Sequence, residues 1–322
     1  HGPAGGKLVL SDDDRLFASA GMARFPGGSP LTRAYRVEDG QPVGPVTDLG
    51  HQLLCATFLA DGRFVVGCRL EAVVGQGDHE SSGGPGQLQA WDLTSGQPAG
   101  PALRLPHEPW AVERAPGDRW IAVLTRDGTV WRVGPELDSA EVILHLPFEK
   151  RHVIGYLHTG HLAFNEDGSR LFASGPGSRT WAIDLGKQEI LFDTGSRVGV
   201  AFDIEVAHGL LLAPVEMAKS EFLFDADDGR VIPLPAEERP YYAIGSQLSR
   251  DGGKLLLSGR GRVSVVDWKS GQRLGEPHFP DRVRLAFSNF VADTPWILTG
   301  ANTEGEESTL ALWDSRTGQR LN

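Results

Sequence analysis

The 322-residue sequence has only two cysteines, Cys55 and Cys68, and no apolar run near the roughly 18 residues of a membrane-spanning helix. Two cysteines are too few for a disulfide framework or a cysteine-rich zinc site. No signal-peptide pattern opens the chain. These absences argue against a disulfide-rich secreted domain and against direct insertion into a membrane, so we expect a cytoplasmic location. Because the chain starts at His1 rather than Met, we also expect a fragment of a larger protein, whose targeting segments lie elsewhere.

Positive charge is scarce as well. The chain has 31 Lys and Arg against 42 Asp and Glu, which gives a formal net charge of −11. Binding to a nucleic-acid backbone rests on clustered basic side chains. The charge balance therefore argues against nucleic acid as the main partner, and leaves only local basic patches open.

Helical periodicity is nearly absent, and hairpin signals take its place. Forty-one glycines and 21 prolines are spread along the chain, which indicates many turns. An apolar strand, a tight polar turn and a second apolar strand recur along the sequence. Copies lie at residues 8–19, 56–67, 112–124, 162–174 and 246–259. Since Asp-Gly between alternating strands is a strong hairpin signal, these segments predict β-hairpins.

A second phrase follows each hairpin. Trp91-Asp92 and Trp313-Asp314 both precede a polar turn that ends in Gly-Gln. Degenerate copies of this phrase lie at positions 35, 133, 183, 224 and 266, so that seven copies recur at steps of 41 to 56 residues. Each unit is therefore predicted to contain four strands.

A Trp-Asp dipeptide at a period of about 40–50 residues resembles the WD-repeat family. The resemblance covers essentially the whole chain, although only two copies keep Trp-Asp intact. It implies an all-β fold, a seven-bladed β-propeller of four-stranded antiparallel blades in which each sheet covers its neighbour. A single propeller would span 1–322, with blades at approximately 1–50, 51–106, 107–148, 149–196, 197–238, 239–280 and 281–322. The rival interpretation is a β-sandwich whose turns share this spacing by coincidence.

The end of the chain raises the question of how blade seven is completed. Residues 319–322 are predicted to form its outermost strand. Seven residues precede the first inner strand, too few to supply an outer strand and its connecting loop. We therefore expect the two ends of the chain to meet without an N-terminal strand that completes blade seven, or the sequence to be cut from a longer array of WD repeats.

The resemblance also implies a hydrogen-bond network of His, Ser or Thr, Asp and Trp within a blade. Blade three offers His107, Thr125 and Asp127, with Val133 at the position of the family's Trp. Blade seven offers His278, Thr299, Trp313 and Glu307. Trp131 and Trp181 each stand two residues before the family's Trp position, and we expect both to pack between blades.

Catalytic and metal-binding patterns are lacking. The sequence has no Gly-x-Ser-x-Gly elbow, no phosphate loop and no suggestive His/Cys pairing. His158 and His161 have a metal-like spacing, but on a strand they would face opposite sides. The acidic loops at 75–80 and 303–307 offer oxygens without the spacing of a calcium loop. We therefore expect no enzyme activity, no catalytic residue, no metal and no cofactor.

Loop lengths point to a protein or peptide partner on one rim. Long second-to-third-strand loops at 21–30, 71–86 and 301–307 belong to adjacent blades and would form a raised wall, unless their lengths merely drifted. Arg and aromatic side chains, which anchor interfaces, occur in the inter-blade loops opposite. Trp110 opens an inner strand, where we expect it to be exposed. The candidate partner-binding residues are Trp110, Arg151, His152, Arg239, Tyr241, Tyr242, Phe279, Arg282, Arg284, Arg24, Phe25, Glu304 and Glu306.

The Gly-Gln-Pro-x-Gly-Pro phrases at 40–45 and 96–101 resemble those of bacterial multidomain WD-repeat proteins. In such proteins propellers are joined to kinase, protease or nucleotide-binding domains. The resemblance implies a non-catalytic scaffold or sensor with an effector domain in cis. The alternatives are a small-molecule sensor that binds in the central channel, a propeller enzyme, and a purely structural module.

Overall fold

The structure is a computed structural model, in which all regular secondary structure of the described residues is β-strand. The described residues are 7–11, 15–20, 31–49, 53–70, 84–148, 160–175, 179–195, 204–213, 223–234, 245–249, 251–259, 262–277, 283–291, 294–303 and 309–321. No helix able to cross a membrane occurs in these ranges.

Within these ranges the strands form seven antiparallel sheets that follow one another along the chain. The first sheet contains β1 (Lys7–Leu10), β2 (Leu16–Ala20), β3 (Leu31–Arg36) and β4 (Pro42–Asp48). The second contains β5 (Leu53–Phe58), β6 (Phe64–Arg69), β7 (Gly86–Asp92), β8 (Gln97–Pro98) and β9 (Leu103–Leu105). The third contains β10 (Pro109–Arg114), β11 (Ile121–Thr125), β12 (Thr129–Val133) and β13 (Ala140–His145). In the second sheet both β8 and β9 pair with β7, so its outermost strand is divided in two.

The remaining sheets have four or three strands. The fourth contains β14 (His161–Phe164), β15 (Arg170–Ser174), β16 (Thr180–Asp184) and β17 (Glu189–Asp193). The fifth contains β18 (Glu205–Ala207), β19 (Leu210–Leu212) and β20 (Leu223–Asp225). The sixth contains β21 (Gly245–Leu248), β22 (Lys254–Gly259), β23 (Arg262–Asp267) and β24 (Gln272–Gly275). The seventh contains β25 (Val283–Val291), β26 (Trp296–Thr303) and β27 (Thr309–Asp314).

The predicted hairpins are confirmed, and their turns show why the sequence folds there. In the turn between β5 and β6, Gly62 has a φ of +85°, a conformation that glycine adopts without steric cost. The Asp61 carboxylate accepts a hydrogen bond of 3.0 Å from the backbone N–H of Arg63. Asp and Gly therefore fix this turn through two different physical effects.

The chain divides into two compact units, one of residues 1–169 and 185–189 and the other of residues 170–184 and 190–322. In the first unit, one apolar cluster joins the first and second sheets, with Phe58 and Phe64 buried in it. Another joins the second and third sheets around Val65 and Val123. In the second unit, Leu255 lies in a cluster shared by the fifth and sixth sheets. Face-to-face packing of successive sheets thus supplies the core within each unit.

Of the predicted outer strand at 319–322, the structure describes residues 319–321, which make only a short pairing. The Leu321 N–H donates a hydrogen bond of 2.8 Å to the carbonyl of Leu312, and Trp313 and Arg320 form an isolated antiparallel bridge. The fifth sheet ends in the same way, with a bridge between Phe224 and Val231. The edge position was therefore predicted correctly, but the regular strand expected there is only a bridge.

Candidate recognition site

Two of the predicted partner-binding residues lie in the described part of the chain, Trp110 in β10 and Arg284 in β25. The other predicted residues lie outside the described residues; they are Arg151, His152, Arg239, Tyr241, Tyr242, Phe279, Arg282, Arg24, Phe25, Glu304 and Glu306. Most residues of the three predicted long loops, at 21–30, 71–86 and 301–307, also lie outside the described residues. The partner-binding role of all these residues stays a prediction.

Trp110 is buried, with 8% of its surface exposed, so the expectation of an exposed ring was wrong. Its ring stacks on Phe148 with centroids 6.0 Å apart and planes 28° apart. The guanidinium of Arg126 lies 5.9 Å from the Trp110 ring centroid. The indole is covered because Arg126 and Phe148 lie against it near the start of β10. Both residues follow Trp110 by 16 positions or more in the sequence.

A buried carboxylate lies two residues before Trp110. Glu108 is 1% exposed and is held by two arginines. Arg69 Nε lies against Glu108 Oε1, and Arg69 Nη2 donates to Oε2 at 2.9 Å. Arg126 Nη1 also donates to Oε2, at 3.2 Å. A buried carboxylate requires such partners, because desolvation of an unpaired charge is costly.

Two glycines let the start of β10 approach the second sheet this closely. A Cβ on Gly86 would overlap Pro109 Cδ and come within 3.0 Å of the Glu108 Cα. A Cβ on Gly67 would overlap Cys55 Sγ and come within 2.8 Å of Pro109 Cγ. The absence of side chains at these two positions therefore brings Glu108 within reach of Arg69.

The predicted network of the third sheet is present, with an indole from an unexpected position. The Thr125 hydroxyl donates to Asp127 Oδ1 at 2.7 Å, and His107 Nε2 lies 3.5 Å from Asp127 Oδ2. Trp131 Nε1 donates to the Thr125 hydroxyl at 3.2 Å. Trp131, which we expected only to pack between blades, thus takes the hydrogen-bonding role that its neighbour Val133 cannot fill. It also packs against the apolar cluster that joins the second and third sheets.

Asp127 is the centre of this network. Burial raises the pKa of its carboxyl, but hydrogen bonds from the hydroxyls of Thr129 and Thr125 outweigh burial and hold the pKa below the ordinary aspartate value. The Thr129 hydroxyl also lies 2.9 Å from His145 Nδ1. Asp127 is thus ionised and fully engaged in structure at neutral pH.

The seventh sheet contains the corresponding Trp–Thr bond. Trp313 Nε1 donates to the hydroxyl of Thr299 at 2.8 Å, as predicted. His278 and Glu307, the other predicted members, lie outside the described residues. Thr299 pairs with Ala311, two residues before Trp313. In the second sheet Val66 occupies the position equivalent to Thr299, because it pairs with Gln89, two residues before Trp91. Valine cannot accept a hydrogen bond, and the buried Trp91 Nε1 has no hydrogen-bond partner in the described part of the chain.

Most aspartates of the repeated phrase serve the turns that they open. The hydroxyl of Ser95 and then the N–H of Thr94 hold the pKa of Asp92 below its usual range. The side chain and then the N–H of Arg316 lower the pKa of Asp314 to about 2. Asp225 and Asp267 likewise accept backbone hydrogen bonds, which lower their pKa values. These carboxylates are therefore occupied as turn caps.

Metal ligands do not converge among the described residues, where no group of three or more His, Cys, Asp or Glu side chains could hold an ion. His161 lies on β14, and His158 is outside the described ranges. The acidic stretches at 75–80 and 304–307 also lie outside them.

The two cysteines, Cys55 and Cys68, are both buried, and burial raises the pKa of Cys68 to about 11.

No protein-family model and no curated protein matches the chain. Solved structures do match it. Saccharomyces cerevisiae Sqt1 aligns over 98% of this chain and 83% of its own, with 13% identity and a TM-score of 0.67. A chain of the mitotic checkpoint complex aligns over 95% of this chain and 86% of its own, with 12% identity and a TM-score of 0.65. The β-propeller domain of Myceliophteria thermophila Cps50 (Swd1) aligns over 97% of both chains, with 12% identity and a TM-score of 0.61.

At such low identity the likeness defines the fold alone. The chain has the fold of a seven-bladed β-propeller built from antiparallel sheets of essentially four strands each. The sequence had predicted this fold correctly. The cluster of Arg69, Glu108 and Arg126 was not predicted, because nothing in the sequence marks three residues 18 and 39 positions apart as neighbours. The one available signal was that Glu108 stands beside His107, which the sequence placed in the predicted network of blade three.

Proposed function

We propose that the chain is a single, non-catalytic WD-repeat propeller that recognises a protein or peptide. The repeated phrases and the Trp–Thr hydrogen bonds support the family assignment. The observation that carries the recognition function is the cluster at the start of β10. There two partly exposed arginines, Arg69 and Arg126, share the buried Glu108, and the Arg126 guanidinium lies 5.9 Å from the Trp110 ring centroid. Arginine and tryptophan are the side chains that most often dominate binding energy at interfaces.

The partner is proposed to bind the loop rim, defined here as the loops that precede the inner strands together with the loops between second and third strands. β6 ends at Arg69, and the predicted long loop at 71–86 begins two residues later. Trp110 is the second residue of β10 (Pro109–Arg114). In the sequence, Arg69 thus stands beside the longest predicted insertion, and long loops on a rigid scaffold commonly carry binding residues.

An effector domain in cis is part of the proposal. It rests on the Gly-Gln-Pro phrases at 40–45 and 96–101, which resemble those of bacterial multidomain proteins. In this arrangement the propeller senses or positions a target, and the attached domain acts on it. Reading the gene product on both sides of residues 1 and 322 tests this part directly, and flanks without a kinase, protease or nucleotide-binding domain would remove it.

The recognition function is tested by crosslinking in the source cells. We would place p-benzoylphenylalanine at Tyr241, on the proposed rim of the full-length protein, and as a control at Leu191, which is 36% exposed on the outermost strand of the fourth sheet. We expect a discrete crosslinked protein from position 241 and none from position 191. Replacement of Arg282 and Tyr241 by Ala should then weaken binding of the purified partner by about tenfold or more. Unchanged binding would place the contact elsewhere.

A further inference from the structure

The cluster of Arg69, Glu108 and Arg126 has more positive than negative charge. One carboxylate, that of Glu108, meets two guanidinium groups. Within the described ranges neither arginine pairs with any other carboxylate. Two guanidinium groups that share one carboxylate repel each other and retain N–H donors beyond those that Glu108 accepts. Among the described residues, the cluster is thus one negative charge short of balance.

The exposure of the three side chains is unequal, and this decides which charge a partner meets. The Glu108 side chain is 1% exposed, whereas Arg69 and Arg126 are each 19% exposed. A molecule that approaches from solvent therefore meets the arginines and not the acid. The net charge of −11 gives the protein a field that repels anionic groups. A local positive site attracts such groups despite this field.

The arginines are also held in place before any partner arrives. The backbone N–H of Arg126 donates a hydrogen bond of 2.9 Å to the carbonyl of Glu108. The Arg126 side chain lies near the Trp110 ring, which itself stacks on Phe148. A guanidinium fixed by packing and by an ion pair loses little rotamer freedom on binding, so its interaction with a partner is not offset by ordering.

From these observations we propose that Arg69 and Arg126 bind a carboxylate side chain, an Asp or Glu, in an acidic segment of the recognised protein. The incoming carboxylate accepts hydrogen bonds from both guanidinium groups and balances the charge of the cluster. Counted over the described side chains, the surplus is a single positive charge. It matches a carboxylate, whereas a phosphate dianion would leave excess negative charge beside the buried Glu108. This proposal rests on the recognition function proposed above and names the chemistry of the partner.

The test is selection of peptides from a random dodecapeptide library on the whole chain, followed by fluorescence polarisation of the selected peptides. Arg126→Gln removes the surplus charge and keeps the Glu108–Arg69 pair, so we expect it to fold, as a thermal melt will check. Arg126→Lys, which keeps the charge but loses the forked geometry, serves as the second variant. Arg63→Gln is the matched control, because Arg63 is 20% exposed and already paired with Asp61 and Glu136.

We expect the selected peptides to share one Asp or Glu. Its change to Asn or Gln should weaken binding to the unsubstituted chain and to Arg63→Gln by about tenfold, and binding to Arg126→Gln by less than about twofold. For Arg126→Lys, we expect the loss of binding caused by the same peptide change to lie between these two values. Selected peptides without a shared acid, or an acid whose effect persists in Arg126→Gln, would overturn the carboxylate site and leave peptide recognition standing. Tighter binding after the acid is replaced by phosphoserine would overturn the choice of carboxylate, and a library that yields no binder would overturn both proposals.

Discussion

Trp313 donates its indole hydrogen bond to the hydroxyl of Thr299 at 2.8 Å, across two neighbouring strands of the seventh sheet. Both side chains are at least 95% buried. The bond gives the buried indole N–H an acceptor, and the Thr299 hydroxyl also donates to the carbonyl of Ala311 at 3.4 Å. Trp131 and Thr125 repeat the arrangement in the third sheet at 3.2 Å.

Thr299→Val should therefore destabilise the protein by about 1–3 kcal/mol, because it leaves the Trp313 indole N–H without this acceptor. Thr180→Val is the matched control. Thr180 is 1% exposed on a strand, and its hydroxyl meets no hydrogen-bond partner within the described ranges. We expect the control to be neutral or stabilising. Urea unfolding of the three proteins measures the difference, and equal stabilities for the two variants would contradict a stabilising role for the Trp–Thr bond.

The second sheet allows the reverse experiment. Val66 occupies the position equivalent to Thr299, opposite the residue that stands two before Trp91. A threonine there would accept from Trp91 Nε1, so Val66→Thr should change the free energy of unfolding by less than about 1 kcal/mol. The same change at Val65 buries a hydroxyl in the apolar cluster between the second and third sheets, and should cost about 1–3 kcal/mol. If both variants lose the same stability, the indole does not use the new hydroxyl.

Comparison of sequence and structure shows which features a local pattern can predict. The hairpins at 56–67 and 162–174 were predicted because Asp and Gly act on their own turn, and the alternation of their strands requires no knowledge of distant residues. The bond of Trp131 to Thr125 was missed because the family pattern directs attention to Val133, whereas the structure places the indole two residues earlier. The burial of Trp110 and the Arg69–Glu108–Arg126 cluster were missed because they depend on how two sheets pack, which is a long-range property.

The aspartates of the repeated phrase predict a loss of stability in acid. The pKa of Asp314 is lowered to about 2 by the Arg316 side chain and then by the Arg316 N–H, so folding favours the ionised form. Its contribution to stability is complete above about pH 4 and is lost as the pH falls from about 4 toward 2. Arg316→Gln should raise this pKa toward the ordinary value and shift the loss to higher pH.

Carboxyl-carbon NMR titration gives the pKa of Asp314 directly, and Asp314→Asn identifies its resonance by removing it. Urea unfolding between pH 2 and 6 measures the linked stability. A titration that stays near pH 2 in Arg316→Gln would show that the backbone N–H groups of the turn, rather than the guanidinium, hold the carboxyl ionised.

The close approach of β10 to the second sheet gives the last prediction. Gly86→Ala places a methyl group against Pro109 and the Glu108 backbone, neither of which is the flexible end of a side chain. The start of β10 must then move away from β7, so we expect a loss of about 1–3 kcal/mol and a weaker hold of Arg69 on Glu108. Gly253→Ala is the control, because its nearest contact, at 3.5 Å, is the side-chain oxygen of Asp251. Urea unfolding reports the stability, and chemical shifts of the Arg69 side-chain Nε–H report the ion pair. If Gly86→Ala keeps both the stability and the Arg69 shift, then close packing at this glycine does not position the buried acid.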